Sequence, residues 1–390
     1  MSRIIVFTGK GGVGKTSVAA AHAVHSAKSG AKTLIVSTDM AHNLGDIFGV
    51  TFKKTIFKIN ENLDALEIDP NLTMENEFKE MKTAFTNLLK SSGMPIESLE
   101  TFDMFPGMDE LISLLKILDL YESGYYEHII VDCAPTGETL TLLKFPELMS
   151  WYMEKFFPLG KIALRVLSPI SKTMFKIELP DKEAMTDIEK LYIKLIKLQE
   201  LLKDKTVTSI RLVAMAEKMV VEETKRNYMY MNLYNFHVDG LFINRILPRD
   251  IDNAFFSEWI DIQNQYIEEL ENIFDGVPIH KIPWFETDLN GLEGIEKIVK
   301  STLEGWDIFK TIDIQRGESY EKTQEGYLLK LFLPTIQSKD LDMHESASDI
   351  IIKIGNFKRN IPKPNALRSY HIAGATFVDQ MLLISLISQQ

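Results

Sequence analysis

Nine residues near the start of the chain, Gly9 to Ser17 (GKGGVGKTS), carry the types and spacing needed to hold a polyphosphate. They complete the pattern G-x-x-x-x-G-K-[ST], and their flanks suit it. Arg3 to Thr8 is a short apolar run of strand character, and the alanine-rich Val18 to Ala27 has the composition of a helix. In a strand–loop–helix of this kind the glycines let backbone N–H groups converge on phosphate oxygens, and the helix adds the positive end of its dipole. Gly11, Gly12, Val13, Gly14, Lys15, Thr16 and Ser17 form the expected phosphate-binding set, with Lys15 on the β/γ-phosphates and the Thr16 hydroxyl on Mg²⁺. The chemistry implied is phosphoryl transfer, which asks for positioning and charge neutralisation more than covalent catalysis.

The elements that must position this loop alternate between strand and helix. Strand runs are Thr33 to Ser37, Leu63 to Ile68, His128 to Asp132, Ser209 to Met215, Val238 to Asn244 and Val277 to Ile282. Helical spacing appears in Met74, Phe78, Met81, Phe85 and Leu88, in Leu111 to Leu120, in Asp181 to Lys205 and in Val221 to Tyr234. This alternation predicts an α/β fold with a doubly wound, mostly parallel sheet, whose ligands sit at the carboxyl ends of the strands. Gly14, Asp39 and Asp132 each follow the end of a predicted strand, so the three converge. The expected domain spans 1–312 and includes a helical, Met- and Phe-rich subdomain over about 145–205. A polar linker at 313–325 leads to a small all-β sandwich at 326–390, read from the short β-type runs Tyr327 to Pro334, Ile350 to Gly355, Phe357 to Pro362 and Ala373 to Ile387.

Bulk properties exclude several function classes. The 390 residues carry a net charge of −12, which argues against a protein driven onto nucleic acid by phosphate contacts. No apolar run reaches transmembrane length, so no integral membrane segment is expected. A strand at the very start of the chain leaves no room for a signal peptide. Cys133 is the single cysteine, which rules out an intrachain disulfide or a cysteine zinc cluster and suits a reducing compartment.

Four separated motifs now agree: the loop with both Lys10 and Lys15, S-T-D-M-A-H-N-L at 37–44, D-C-A-P-T-G-E-T at 132–139, and L-F-I-N-R-I-L-P at 241–248. Lys10 in the loop resembles the extra lysine of the deviant Walker A ATPases. In their order and spacing the motifs resemble the family shared by arsenite-pump ATPases and the tail-anchored-protein targeting ATPase, over roughly residues 1–310. The tail is similar to the small-heat-shock-protein-like domain of some bacterial and plastid members. The resemblance implies a homodimeric Mg-ATPase, turning ATP and water into ADP and phosphate, in the cytoplasm or in a plastid stroma.

It also implies roles for single residues. Asp39 matches the switch I aspartate that positions the attacking water, and Asp132 the switch II aspartate that holds Mg²⁺ through water. Lys10 would reach the partner's phosphates, Asn244 would read adenine, Pro283 and its neighbours would pack on the base, and Glu217 falls where the family contacts nucleotide. By their residue types alone, Asp39 and Asp132 could instead be helix N-caps and Glu217 a surface carboxylate. The chain departs from the family pattern at Met40, where a proline is usual, and at Glu138, where a histidine is usual.

Four functions compete. An ATP-switched binder of a hydrophobic helix or membrane-protein client draws on the segment around Met149, Met153, Phe156, Phe157, Met174 and Phe175, which suits either an apolar groove or ordinary core. An energiser of arsenite-type anion transport is disfavoured by the missing thiols. A membrane-surface partitioning ATPase would want a terminal basic amphipathic helix, and the C-terminus here is β-like. An iron–sulfur electron donor would need two cysteines per chain. Zinc and iron–sulfur clusters are accordingly not expected.

Overall fold

In the computed structural model, which describes residues 2–39, 43–52, 55–79, 108–133, 187–249, 254–312, 314, 317–346 and 348–388, the first half of the chain alternates strand and helix. The elements are β1 (Arg3–Thr8), α1 (Lys15–Lys28), β2 (Thr33–Ser37), α2 (Asn43–Phe48), β3 (Phe57–Lys58), β4 (Leu63–Glu67), α3 (Pro70–Glu77), α4 (Met108–Glu122) and β5 (His128–Asp132). They continue with α5 (Asp187–Lys203), β6 (Thr208–Met215), α6 (Lys218–Leu233), β7 (Val238–Ile246), α7 (Ala254–Ile273), β8 (Ile279–Pro283) and α8 (Gly291–Ile298). Eight strands form one sheet in the order β3-β4-β2-β5-β1-β6-β7-β8, parallel throughout except for the β3–β4 pair.

The sequence already contains the reason for this arrangement. β1 and β2 are buried at every position, so they show no alternation and must be covered on both faces. The chain winds from β1 through β5, β2 and β4 on one side and β6, β7 and β8 on the other. The switch in direction therefore lies beside β1, and the crevice at its carboxyl end is where such sheets bind ligands. An ion-pair network crosses this core. Arg211 of β6 is fully buried and donates through Nε to Asp239 Oδ1 of β7 at 3.0 Å, while Arg3 Nη2 stands 3.6 Å from the same carboxylate. Gly240 lies beside the Arg211 stem, where a Cβ would come into van der Waals contact with its Cγ.

Two histidines, His22 buried and His280 half-buried, pack on the same core. His22 packs on Phe7 and Phe242, and its Nδ1 donates to the Val18 carbonyl at 2.7 Å. His280 stacks between Phe242 and Trp306, with centroids 4.9 and 4.0 Å away. Burial, with the Arg211 charge, depresses both, and it brings His280 to about 4. The folded protein thus binds the His280 proton more weakly than the unfolded chain, where histidine titrates near 6.5. Its contribution to stability is complete above that pH and is lost as pH falls toward about 4. Burial moves Glu200 the other way, up to about 7, so the total pH profile mixes signs. The histidine term is isolated in a His280→Phe variant. Its urea midpoint relative to wild type should be constant above pH 7 and should improve steadily from pH 6.5 to pH 4.5. A difference that does not change with pH would contradict the assignment.

The C-terminal part is antiparallel. β9 (Ser319–Lys322), β10 (Gly326–Phe332), β14 (Tyr370–Val378) and β15 (Met381–Ser388) form a sheet ordered β14-β15-β10-β9, and β11 (Leu341–Glu345), β12 (Asp349–Ile354) and β13 (Phe357–Pro362) form a second. Leu329 and Leu331, Ile350, Ile352 and Ile354, and Leu382, Ile384 and Leu386 turn inward at every second position. This unit docks on α6. Tyr234 Oη donates to the Lys358 carbonyl at 3.0 Å, buried Arg359 bridges the Leu233 carbonyl and Glu318, and the Tyr230 and Phe357 rings meet at 3.6 Å.

Three sequence expectations differ from this picture. Within the 313–325 stretch read as a linker, Ser319–Lys322 is strand β9. It is polar because it is an edge strand with little burial. The single run Ala373 to Ile387 is a hairpin turning at Asp379 and Gln380, whose φ values of 48° and 63° match the twist of a two-residue turn without the usual glycine. The helix expected from Met74 to Leu88 is described only as α3, Pro70–Glu77, capped by Asp69 on the Leu72 N–H; Met81, Phe85 and Leu88 lie outside the described residues. Met40, Glu138 and the segment 145–179, with Met149, Met153, Phe156, Phe157, Met174 and Phe175, lie outside them too. Among the described residues no helix is long and apolar enough to cross a membrane.

Candidate active site

The strand register assembles the site. Ser37 of β2 and Phe7 of β1 both stand level with Asp132 of β5, and Met215 of β6 stands level with Asn244 of β7. The phosphate loop leaves β1 two residues past Phe7, Asp39 lies two residues past Ser37, and Asn244 reaches the loop from the other side. The expected convergence of Gly14, Asp39 and Asp132 is therefore a consequence of three adjacent parallel strands ending in one row.

The loop itself is glycine-dependent in three ways. Gly12 and Gly14 have φ of 82° and 92°, which L side chains rarely adopt. A Cβ on Gly9 would stand 2.1 Å from the Val213 carbonyl oxygen, and one on Gly14 would stand 2.4 Å from Asn244 Nδ2. Gly14 precedes α1, whose N-terminus has neither a side-chain cap nor an acidic residue in its first turn. Its free N–H groups and dipole therefore face the loop uncompensated. Lys15 is largely buried, and its ammonium lies 3.5 Å from the Lys10 carbonyl of its own loop. Thr16 and Ser17 follow on the first turn, half-buried.

Asp132 is the electrostatic centre. It is fully buried, and neither carboxylate oxygen has a partner at hydrogen-bonding geometry. Burial pushes it up to about 7; the nearby Thr16 hydroxyl and Lys15 charge favour the anion without offsetting burial, and Asp39 opposes them. Next to it, burial pushes the Cys133 thiol up to about 12, a packed and unreactive cysteine. The Asp39 backbone N–H donates to Ser37 Oγ at 3.2 Å, which turns the chain at the end of β2.

Asn244 is pinned against the loop. Its Nδ2 donates to the Val13 carbonyl at 2.8 Å, and its Oδ1 accepts from the Arg245 N–H at 2.9 Å. Pro283 ends β8 beside Ile246, and the Trp284 N–H donates to the Ile246 carbonyl at 2.8 Å, leaving the Trp284 ring about half exposed. Glu217 is exposed at the N-cap position of α6 without capping it, so its carboxylate is not spent on the helix. The half-exposed Lys10 ammonium lies 3.9 Å from Glu223, also on α6. Glu223 carries no sequence signal for this contact, which depends on the tertiary structure bringing α6 alongside the loop; the Ser37 contact is local, two residues along the chain.

Comparison with known proteins shows the family of the chain. The family model described as anion-transporting ATPase matches residues 2–304, and that of the HSP20-like domain found in ArsA matches residues 324–386. The chain is 32% identical over 377 residues to a protein named arsenical pump-driving ATPase 1 of Aquifex aeolicus, covering 94% of this chain and 95% of that one. It is 33% identical over 385 residues to an arsenical pump-driving ATPase of Chlorobaculum tepidum, covering 98% and 95%. It is 30% identical over 309 residues to the ATPase get3 of Pyrenophora tritici-repentis, covering 76% and 89%. The chain is therefore an ATPase and belongs to the anion-transporting ATPase family, with an HSP20-like β-domain following its nucleotide-binding fold.

Proposed function

We propose that this ATPase is a Mg²⁺-dependent homodimeric switch that takes up and releases a hydrophobic helical client. The observation that carries its catalytic part is Asp132, a fully buried carboxylate with no hydrogen bond of good geometry and with the Thr16 hydroxyl nearby, at the foot of a helix that has no side-chain cap. Hard oxygen ligands of this kind suit Mg²⁺, which binds through one or two protein oxygens plus phosphate and water. The Thr16 hydroxyl would ligate it directly and Asp132 through water; when bound it offsets phosphate charge. Lys15 and the backbone N–H groups of 11–17 hold the phosphates, Asp39 orients the attacking water, and Asn244, Pro283 and Glu217 surround the base.

Lys10 supports the dimer part of the reading. It is engaged with Glu223 rather than with its own loop, and its side chain is about one-third exposed. It would supply charge to a second subunit's phosphates, as an arginine finger does. The client part rests on the resemblance to targeting ATPases and on the composition of 145–179. A second reading, energising anion transport, follows the relatives named arsenical pump-driving ATPases. The chemistry of Cys133, a single buried thiol held neutral, argues against thiolate capture of a metalloid on this chain.

The test mixes Lys10→Ala and Lys15→Ala subunits. Each variant alone should hydrolyse ATP slowly. A mixed dimer has one site with both lysines, its own Lys15 and the partner's Lys10, so activity should reappear at intermediate mixing ratios. Mixed dimers shown to form without recovered hydrolysis would overturn the trans role. An Asp39→Asn variant recovered from cells with ATP should carry hydrophobic-helix proteins; recovery without such proteins would remove the client-binding reading.

A further inference from the structure

We infer that Gln263 is a positioning residue for nucleotide-base recognition, setting the loop that aims Asn244. The inference rests on the reading of Asn244 as the base reader. Arg245, the next residue, has φ of 57°, a left-handed conformation that a non-glycine residue adopts only when its surroundings impose it. The Gln263 side chain imposes it from α7. Its Nε2 donates to the Arg245 carbonyl at 3.2 Å, and its Oε1 accepts from the Leu247 N–H at 2.9 Å. On the other side the Trp284 N–H holds the Ile246 carbonyl. Three consecutive residues, 245–247, are thus gripped by two separate elements.

The position of Gln263 on its helix is unusual for a glutamine. Residues 263, 267, 270 and 274 lie on one stripe, and Ile267, Leu270 and Phe274 are buried in the core. Gln263 continues this apolar stripe with an amide whose oxygen and nitrogen are both bonded to backbone. A leucine there would extend the stripe but leave the Leu247 N–H and the Arg245 carbonyl without these partners.

The consequence reaches the base through one peptide unit. The Arg245 N–H that Asn244 Oδ1 accepts belongs to the turn that Gln263 holds. With Nδ2 on Val13 and Oδ1 on Arg245, the plane of the Asn244 amide is determined from both ends. One N–H of Nδ2 and one lone pair of Oδ1 remain for a ligand. That pair matches the adjacent acceptor and donor on an edge of adenine, and mismatches guanine, which offers two acceptors at N7 and O6. Gln263 therefore acts on base selection, and it touches neither phosphate nor base.

The test compares Gln263→Met, of similar length but unable to make either bond, with Gln263→Glu, which keeps the acceptor for Leu247 and loses the donor to Arg245. For Gln263→Met the expected result is a KM for ATP raised about five- to tenfold with kcat within about twofold, the size expected from losing one or two neutral hydrogen bonds. The preference for ATP over GTP should shrink by a similar factor. Inhibition by Mg²⁺ with inorganic tripolyphosphate, which has no base, should be unchanged. Gln263→Glu should fall between wild type and Gln263→Met. An unchanged KM for ATP in both variants, or an equal weakening of ATP and tripolyphosphate, would overturn the inference. Asn244→Ala separates the two layers: if it leaves the ATP preference intact, the reading of Asn244 fails. If it abolishes the preference while both Gln263 variants keep it, only the role of Gln263 fails.

Discussion

Replacing Lys15 by alanine should reduce ATP hydrolysis by at least about 10²–10³-fold, the size of effect seen when a preorganised charge or donor is removed from a developing anion. The ammonium is largely buried, and its hydrogen-bond contact in this structure is the Lys10 carbonyl at a marginal 3.5 Å. It is therefore held at the mouth of α1 by the loop's shape and not consumed by an internal ion pair. Phosphate charge would be its natural partner. The alanine variant should melt within a few degrees of wild type, because the nearby buried Asp132 carboxyl, already pushed up to about 7 by burial, can take a proton when the Lys15 charge is removed. The measurement is steady-state phosphate release beside thermal melting. Hydrolysis within tenfold of wild type, with the fold intact, would mean that the loop holds its phosphates by backbone alone.

The second large effect concerns stability. Asp239→Ala should destabilise the nucleotide-binding fold by about 3–5 kcal/mol, the usual result of removing one partner from a buried ion pair. Asp239 and Arg211 are both fully buried, Arg3 shares the carboxylate, and the Arg211 guanidinium also lies 4.9 Å over the Trp306 ring and donates to the Ile308 carbonyl. Without Asp239 the fully buried Arg211 guanidinium loses its paired carboxylate, and Arg3 keeps only the weaker pull of Asp204. The urea midpoint reads the effect directly. Replacing the pair together, Arg211→Met with Asp239→Leu, should recover much of the loss, since apolar side chains of similar volume often equal a buried pair in stability. A single Asp239→Ala variant within about 1 kcal/mol of wild type would show that the arginines find other partners or water.

These two cases also mark how far sequence reading extends. The Lys15 prediction could be written from GKGGVGKT and its flanking strand and helix, because every atom of a phosphate loop comes from one contiguous segment. Asp39 and Asp132 were legible for a related reason: each ends a short apolar strand, and parallel strands end in one row. The Arg211–Asp239 pair was not legible. Arg211 appeared only as one residue inside the run Ser209 to Met215, and nothing local reveals that β6 and β7 pair with Arg211 beside Gly240. The helix α7 carries apolar residues at helical spacing from Trp259 to Phe274, but no motif within it points to the site. The β9 strand has the composition of a linker because it is an edge strand with little burial.

What the sequence by itself determined is the chemistry and the class of fold: a polyphosphate loop, two carboxylates at strand ends, a doubly wound sheet and a separate β-domain. These follow from local patterns, namely glycine at positive φ, burial on both strand faces, and alternation at every second residue. What only the tertiary structure decided is how the distant parts meet. Asn244 takes the space a Gly14 side chain would fill, 230 residues away in the chain; Gln263 grips the turn after Asn244; α6 carries Glu223 to Lys10 at one end and the β-domain at the other. Such contacts depend on strand order and register, which arise when the whole sheet buries its apolar faces at once, and no stretch of local sequence encodes them alone.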